Sequence, residues 1–228
     1  MNVSLFSCFL ALEAICLLSF FLLGLSSYSK RKKKRYDFLT LFPFELGEDP
    51  KGSDYVSRGF FASFELASVG GAIFLVYFYP AFKGTMSLSL LLGLLFLLRG
   101  ISAVGVISIP TYTYKPHLAF AVAHMGFSLI SDIVAGLFFR DLASAYSDTI
   151  GNTFMIIMFV LALLLAILML NPKLSHWAEL KSEMSKDGSV TTKRPRPFVL
   201  ALTEWICIGL DAVASIAVLL GFFLLTTI

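Results

Sequence analysis

Charged residues are scarce in this chain. Of its 228 residues, 14% are charged and 57% are hydrophobic, whereas about a quarter of the residues of a soluble domain are charged. The mean hydropathy is +0.84. This composition leaves too little polar surface for a water-soluble particle, so it excludes a soluble domain and predicts a protein whose solvent is the lipid bilayer.

Motifs of self-contained chemistry are also missing. The three cysteines have no metal-ligand spacing, and the chain lacks a nucleophile elbow, an HExxH motif, a CxxC pair and a glycine-rich phosphate loop. We therefore predict no metal site, no disulfide and no catalytic residue in this chain. The net charge of +3 is too small, and too divided among the connections, to indicate nucleic acid as a partner.

Long apolar runs are what the sequence has in abundance. A helix needs roughly 20 apolar residues to cross about 30 Å of hydrocarbon, and the alternating pattern of barrel strands is absent. The predicted fold is an all-α polytopic membrane protein, with a three-helix region at 1–110 and three further helices at 111–228. The six predicted transmembrane helices are 4–28, 59–79, 85–109, 117–139, 150–171 and 198–226.

Lysine and arginine concentrate in alternate connections. Connections 29–58, 110–116 and 172–197 hold 15 of the 18 basic residues, and the other two connections hold only Lys83 and Arg140. Basic connections face the cytoplasm or its organellar equivalent. We therefore predict the first, third and fifth connections on the matrix or cytoplasmic side, with both termini opposite.

An uninterrupted basic run follows the first predicted helix. It has two interpretations, a signal that fixes orientation or a patch that attracts anionic lipid headgroups. Its members are Lys30, Arg31, Lys32, Lys33, Lys34 and Arg35.

Several ionisable residues fall inside the predicted spans. A central Arg or Asp costs about 2.5 to 3.5 kcal/mol on insertion scales, so these side chains should face the bundle interior or a protein partner. Two stripes have a step of seven residues, which places their members on one helix face: His117 with His124, and Glu204 with Asp211. Structural pairing and a buried proton path are both open for Glu13, Glu65, Arg99, Asp132, Glu204 and Asp211.

The first connection contains a motif with fixed spacing. Residues 44–53 read Phe-Glu-Leu-Gly-Glu-Asp-Pro-Lys-Gly-Ser. This resembles the first connection of subunit 3 of NADH–ubiquinone oxidoreductase, respiratory complex I, which reads aromatic-Glu-Cys-Gly-x-Asp-Pro-x-Gly, often followed by Ser. The resemblance covers about residues 4–109, and the cysteine of the family is Leu46 here. The matching residues are Phe44, Glu45, Gly47, Asp49, Pro50, Gly52 and Ser53.

The resemblance implies a function at the level of an assembly. A subunit of this family lies where quinone reduction meets proton translocation, in the mitochondrial inner membrane or a bacterial plasma membrane. It would bind no cofactor itself, while the complex uses NADH and ubiquinone; its partners would be other complex I membrane subunits and lipid. Glu65 would join a buried proton path, and the loop near the quinone cavity would be shaped by Glu45, Leu46, Gly47, Asp49 and Pro50.

Two other classes of function remain open on the sequence. One is a proton- or ion-coupled transporter in which Asp132, Glu204 and Asp211 carry charge. The other is a stand-alone, lipid-associated six-helix protein or scaffold in which Arg99 binds an anionic headgroup. Helices four to six have no counterpart in a three-helix subunit, so they are either an extension or an argument for one of these alternatives.

Overall fold

The structure, a computed structural model, describes residues 3–49, 52–53, 55–78, 86–110, 113–174, 181–184 and 190–227. Its helices are α1 (Val3–Lys32), α2 (Pro43–Leu46), α3 (Tyr55–Phe78), α4 (Met86–Ser108), α5 (Tyr114–Ala145), α6 (Asp148–Met169) and α7 (Val199–Thr227). Two antiparallel hairpins lie in connections, β1 (Glu48–Asp49) with β2 (Gly52–Ser53) and β3 (Lys181–Met184) with β4 (Val190–Lys193).

Five of the described helices contain a stretch long and apolar enough to cross a membrane. The chain is therefore a multi-pass helical membrane protein. Helix α3 occupies the place of the second predicted span but is not among the five, and residue 79 of that prediction lies outside the described residues. The five stretches are Ser7–Lys32, Leu88–Ser108, Lys115–Ala145, Asp148–Met169 and Val199–Leu225.

The long helices form a closed ring. Each packs against the next one along the chain, in the order α1, α3, α4, α5, α6 and α7, and α7 closes the ring against α1. Helix α7 also contacts α3 and α5, so it reaches across the bundle. Phenylalanines fill one part of the interior, where Phe138, Phe139 and Phe222 are almost fully buried.

Helix α5 is longer than predicted. The sequence predicts its end at residue 139, but the helix continues to Ala145 and only Tyr146 and Ser147 separate it from α6. The extra turns are stable because Leu142 and Ala143 are buried. Gly151 permits the tight approach of α6, since a Cβ there would lie 2.5 Å from the Ala143 Cα.

The basic run extends and then ends α1. Lys30, Arg31 and Lys32 form its last turn, where positive charge is favoured by the helix dipole. Lys33 follows with φ of 51°, the left-handed conformation that commonly terminates a helix. The helix therefore ends four residues beyond its predicted boundary at 28.

The first, third and fifth connections meet at one end of the bundle. Phe198 N donates to the Leu39 carbonyl oxygen at 2.7 Å, and Arg58 Nη1 donates to the Ser108 carbonyl oxygen at 3.3 Å. These contacts join the start of α7 to the first connection and the start of α3 to the end of α4. We call this end, which carries most of the lysines and arginines, the basic end.

Candidate functional site: a buried polar line between the helices

An imidazole and a carboxyl group face each other near the basic end, between α5 and α7. His117 Nε2 lies 3.1 Å from Glu204 Oε1, and His117 Nδ1 lies 2.8 Å from the Ile109 carbonyl oxygen. A carbonyl oxygen only accepts, so Nδ1 carries a proton. One further proton lies between Nε2 and Oε1, as imidazolium with carboxylate or as imidazole with carboxylic acid. We call these two residues the outer pair.

A second pair repeats the first, seven residues further along both helices. His124 Nε2 lies 3.1 Å from Asp211 Oδ2, and both side chains are buried. Because α5 and α7 run in parallel from the basic end, the common step of seven keeps the pairs in register, roughly 10 Å apart. The 3.1 Å contact between His124 and Asp211 nevertheless lacks hydrogen-bond geometry, and the Arg99 backbone lies beside the same imidazole ring. We call His124 and Asp211 the inner pair.

Arg99 lies next to the inner pair and is fully buried. Its Nη2 donates to Ser215 Oγ at 2.5 Å, and its guanidinium lies 4.1 Å from the centroid of the Phe96 ring. This position lies inside the protein, whereas binding a lipid headgroup requires a side chain that is open to the lipid. Four carboxyl groups are close enough to interact with the guanidinium charge, and with it they form what we call the acidic core: Asp211, Glu65, Asp132 and Glu13.

Three of these acids lack hydrogen bonds. Both carboxyl oxygens of Glu13, Glu65 and Asp132 are buried without a hydrogen-bond partner among the described residues. Glu65 lies against Gly100, where an added Cβ would be 3.3 Å from the Glu65 Cβ. Four ionised carboxylates next to one guanidinium would leave uncompensated charge in a low-dielectric interior. Protons or another cation must therefore balance the acidic core.

The structure places the six residues considered for a buried proton path in two groups. Arg99, Glu65, Asp132 and Asp211 meet in the acidic core, whereas Glu204 lies nearer the basic end in the outer pair. Glu13, which has no basic partner in its own helix, reaches the same core from α1 and lies beside Ser68 of α3.

The first connection from residue 36 onward carries the motif, and we call it the motif loop. Its described residues pack onto the bundle and are held by hydrogen bonds. Glu45 Oε2 accepts from the Phe42 backbone N–H at 2.8 Å and from Arg194 Nη1 at 2.5 Å. Leu46 is completely buried and fits against Gly24 of α1, where an added Cβ would lie 2.7 Å from Leu46 Cδ2. The position of the family's cysteine is therefore an internal packing position in this chain.

The remaining predicted residues of the motif loop, Gly47, Asp49 and Pro50, do not form one cluster. Gly47 follows α2, is buried, and donates its N–H to the Phe44 carbonyl oxygen at 3.3 Å. Asp49 pairs with Gly52 in the small β1–β2 hairpin. Pro50 lies outside the described residues.

Aromatic rings connect this loop to the outer pair. The Phe42 ring is edge-on to the His117 imidazole, with centroids 5.9 Å apart, and the Arg194 guanidinium lies 5.3 Å from the Phe42 centroid. The loop thus covers the outer pair at the basic end.

Tyr36 and Trp205 fix the start of the loop to α7. Trp205 Nε1 donates to the Leu41 carbonyl oxygen at 2.9 Å, and Tyr36 Oη donates to the Phe42 carbonyl oxygen at 2.6 Å. Burial raises the pKa of the Tyr36 phenol above its ordinary value, so the hydroxyl stays protonated and remains a donor over the physiological range.

The basic run divides into one internal and five outward residues. Arg31 Nη2 donates to the Leu46 carbonyl oxygen at 3.0 Å, so Arg31 helps to hold the motif loop. The side chains available to a lipid surface are those of Lys30, Lys32, Lys33, Lys34 and Arg35, which are all exposed.

Sequence reasoning missed two members of the site. Cys207 lies one turn before Asp211 on α7, and its sulfur meets the inner pair: single ligand atoms of His124, Cys207 and Asp211 all lie within 4.8 Å of one another. Ser215, one turn after Asp211, holds Arg99. The available signal was the four-residue spacing on α7, which places both side chains on the Asp211 face.

By its fold and its site, this chain is a multi-pass helical membrane protein with ionisable groups in its interior. Comparison with protein-family models, curated proteins and solved structures finds no match to this chain.

Proposed function

We propose that this protein transfers protons within the membrane through its acidic core, as a membrane subunit of a respiratory NADH–ubiquinone oxidoreductase. The single observation that carries the proposal is the excess of carboxyl groups over positive charge around Arg99. Ionisable groups inside a membrane mark ion and proton pathways by default, because they are costly to retain.

The hydrogen-bond pattern of the acidic core supports transfer over static pairing. A structural buried carboxyl group is normally fixed by hydrogen bonds, but the oxygens of Glu13, Glu65 and Asp132 have none among the described residues. Carboxyl groups of this kind can exchange a proton with each other or with water without breaking an existing contact.

The outer pair supplies a connection toward the basic end. It already shares a proton between Nε2 of His117 and Oε1 of Glu204, and the inner pair lies roughly 10 Å deeper. Proton-binding groups thus occur at successive depths from the basic end to the acidic core, and a short chain of bound water molecules would be needed to carry a proton between the two pairs.

The assembly is proposed from the motif loop. Its residues resemble the first connection of complex I subunit 3, and the folded loop lies directly over the outer pair through Phe42. In this proposal the loop lies near the quinone cavity of the complex, so that a movement of the loop changes the surroundings of His117. The basic end then faces the matrix or the cytoplasm, α3 is the sixth span, and the complex supplies NADH and ubiquinone chemistry.

Glu65 gives the functional test. In the intact complex, Glu65→Gln should lower proton translocation per NADH oxidised, since an amide cannot release a proton, while Glu65→Asp should retain most of it. Ser63→Ala, an exposed change two residues away on α3, is the matched control. Unchanged translocation in Glu65→Gln, with normal assembly, would remove the acidic core as a proton path.

A native gel tests the assembly separately. The protein should co-migrate with NADH dehydrogenase activity and with other membrane subunits. A monomeric band without that activity would reject the complex I proposal. If Glu65→Gln then still alters proton flux in liposomes, the same acidic core supports the second candidate, a stand-alone proton-coupled transporter.

A further inference from the structure

We propose that His124, Cys207 and Asp211 bind a divalent transition-metal ion, zinc by preference, between α5 and α7. This site does not rest on the proton-transfer proposal, whose test residue is Glu65. It would fasten two helices that run in parallel across the bundle.

The ligand atoms converge from two helices. Cys207 and Asp211 are four residues apart on α7, so one helical turn places the thiol and the carboxyl group on the same face. His124 meets them from α5, and one ligand atom of each residue lies within 4.8 Å of the others. Thiolate, imidazole and carboxylate are the protein ligands of zinc, and three of them leave a fourth position for water or another ligand.

The ligand atoms are also unsatisfied. Asp211 Oδ1 has no hydrogen bond among the described residues, and the 3.1 Å contact of His124 Nε2 to Asp211 Oδ2 lacks hydrogen-bond geometry, although His124 is 2% exposed and Asp211 is 1% exposed. Burying polar atoms without partners is unfavourable. A metal ion would bind one ring nitrogen of His124 together with the Asp211 carboxylate, and so would supply an interaction that both groups lack here.

The outer pair is an internal comparison. Its histidine uses both nitrogens, with Ile109 and Glu204, and the residue one turn before Glu204 is Leu200 where the inner pair has Cys207. Two pairs in the same register thus differ in the thiol and in the hydrogen-bond geometry of the imidazole. Only the inner pair has a ligand set for a metal.

Charge and hydrogen bonding around the site agree with a bound cation. The acidic core has four carboxyl groups for one guanidinium, so a divalent ion reduces the imbalance, and Cys207 would release its thiol proton to solvent on binding. Arg99 does not occupy the place of the metal, since its Nη2 bonds Ser215. Ser128 Oγ lies 3.0 Å from Asp211 Oδ2, a contact that would orient the carboxylate ligand.

Cobalt and zinc binding by the purified full-length protein test the site. The wild type should retain zinc through gel filtration, and Co²⁺ should give the near-ultraviolet charge-transfer absorption of a thiolate ligand. Cys207→Ser should abolish that absorption and weaken zinc binding by more than the roughly 10- to 100-fold typical of outer-shell changes, while Ser128→Ala should weaken it about 10-fold.

Cys16→Ser is the matched control, because Cys16 is also buried but belongs to a different packing cluster, beside Phe20 and Phe61. It should bind both metals like the wild type. Equal zinc retention by wild type and Cys207→Ser would overturn the site, and so would a cobalt-loaded wild type without thiolate absorption. If Cys207→Ser does not fold, the thiolate absorption of the cobalt-loaded wild type decides the question alone.

Discussion

The outer and inner pairs both join an imidazole to a carboxyl group in the same register, but they differ in how well their polar atoms are hydrogen-bonded. In the outer pair, both nitrogens of His117 have partners at 2.8 and 3.1 Å, and the motif loop covers the pair. In the inner pair, the contact between His124 and Asp211 lacks hydrogen-bond geometry, and the pair lies next to Arg99 and three more acids. The outer pair is thus a contact that stabilises the fold. The inner pair consists of buried polar groups that a structural role alone does not explain.

Removing His117 should have the largest effect on stability. His117→Ala leaves Glu204 buried without its partner, and breaking a buried pair in this way costs about 3 to 5 kcal/mol. Unfolding of the detergent-solubilised protein by denaturant measures the loss. The double variant His117→Leu with Glu204→Leu should recover most of it, and a loss under about 1 kcal/mol in the single variant would contradict the role given to the outer pair.

Trp205→Phe should have the next largest effect. It removes the donor to the partly buried Leu41 carbonyl oxygen while keeping an aromatic ring against Tyr36 and Phe38, so the free energy of unfolding should fall by about 1 to 2 kcal/mol. Hydrogen exchange should rise in the motif loop and stay unchanged in α6. Equal exchange in both regions would show that the loop is held by other contacts.

Arg194→Ala should have a smaller effect, centred on the loop. The ion pair with Glu45 is partly buried, with side chains 31% and 15% exposed, so its loss together with the contact to Phe42 should cost about 1 kcal/mol. Arg196→Ala is the matched control, because Arg196 pairs with Asp37 at 3.5 Å and is 69% exposed. Proteolysis of the loop should increase in the first variant only; the same increase in both would contradict the assignment.

Glu65→Gln should change stability least. The carboxyl group has no hydrogen bond to lose among the residues that the structure describes, and the amide has the same shape, so the free energy of unfolding should change by less than about 1 kcal/mol. Near-normal stability with reduced proton translocation would assign the acidic core a functional role and not a structural one. A loss as large as that of His117→Ala would instead assign Glu65 a structural role.

The sequence was informative about everything that depends on local periodicity. Apolar runs located the helices to within a few residues, except at the end of α5. The step of seven residues put His117 with His124, and Glu204 with Asp211, on single faces, and the cost of charge in lipid predicted that the two acids are buried. Each of these four residues is at most 5% exposed.

Contacts between segments that are distant in the chain could not be predicted from the sequence. Nothing local indicates that the α5 and α7 stripes face each other, that Cys207 joins them, or that Leu46 is packed against Gly24. The β3–β4 hairpin was also missed, since its residues 181–184 and 190–193 lack an apolar alternation. Connection contacts such as that between Arg194 and Glu45 join residues far apart in the chain.

The sequence by itself determined that this protein crosses a membrane, because its shortage of charge and its long apolar runs admit no other solvent. It also determined which connections carry the positive charge. Only the tertiary structure decided which buried charges meet, because a helix fixes the face on which a side chain lies, whereas the packing of six long helices into a ring fixes what that face meets.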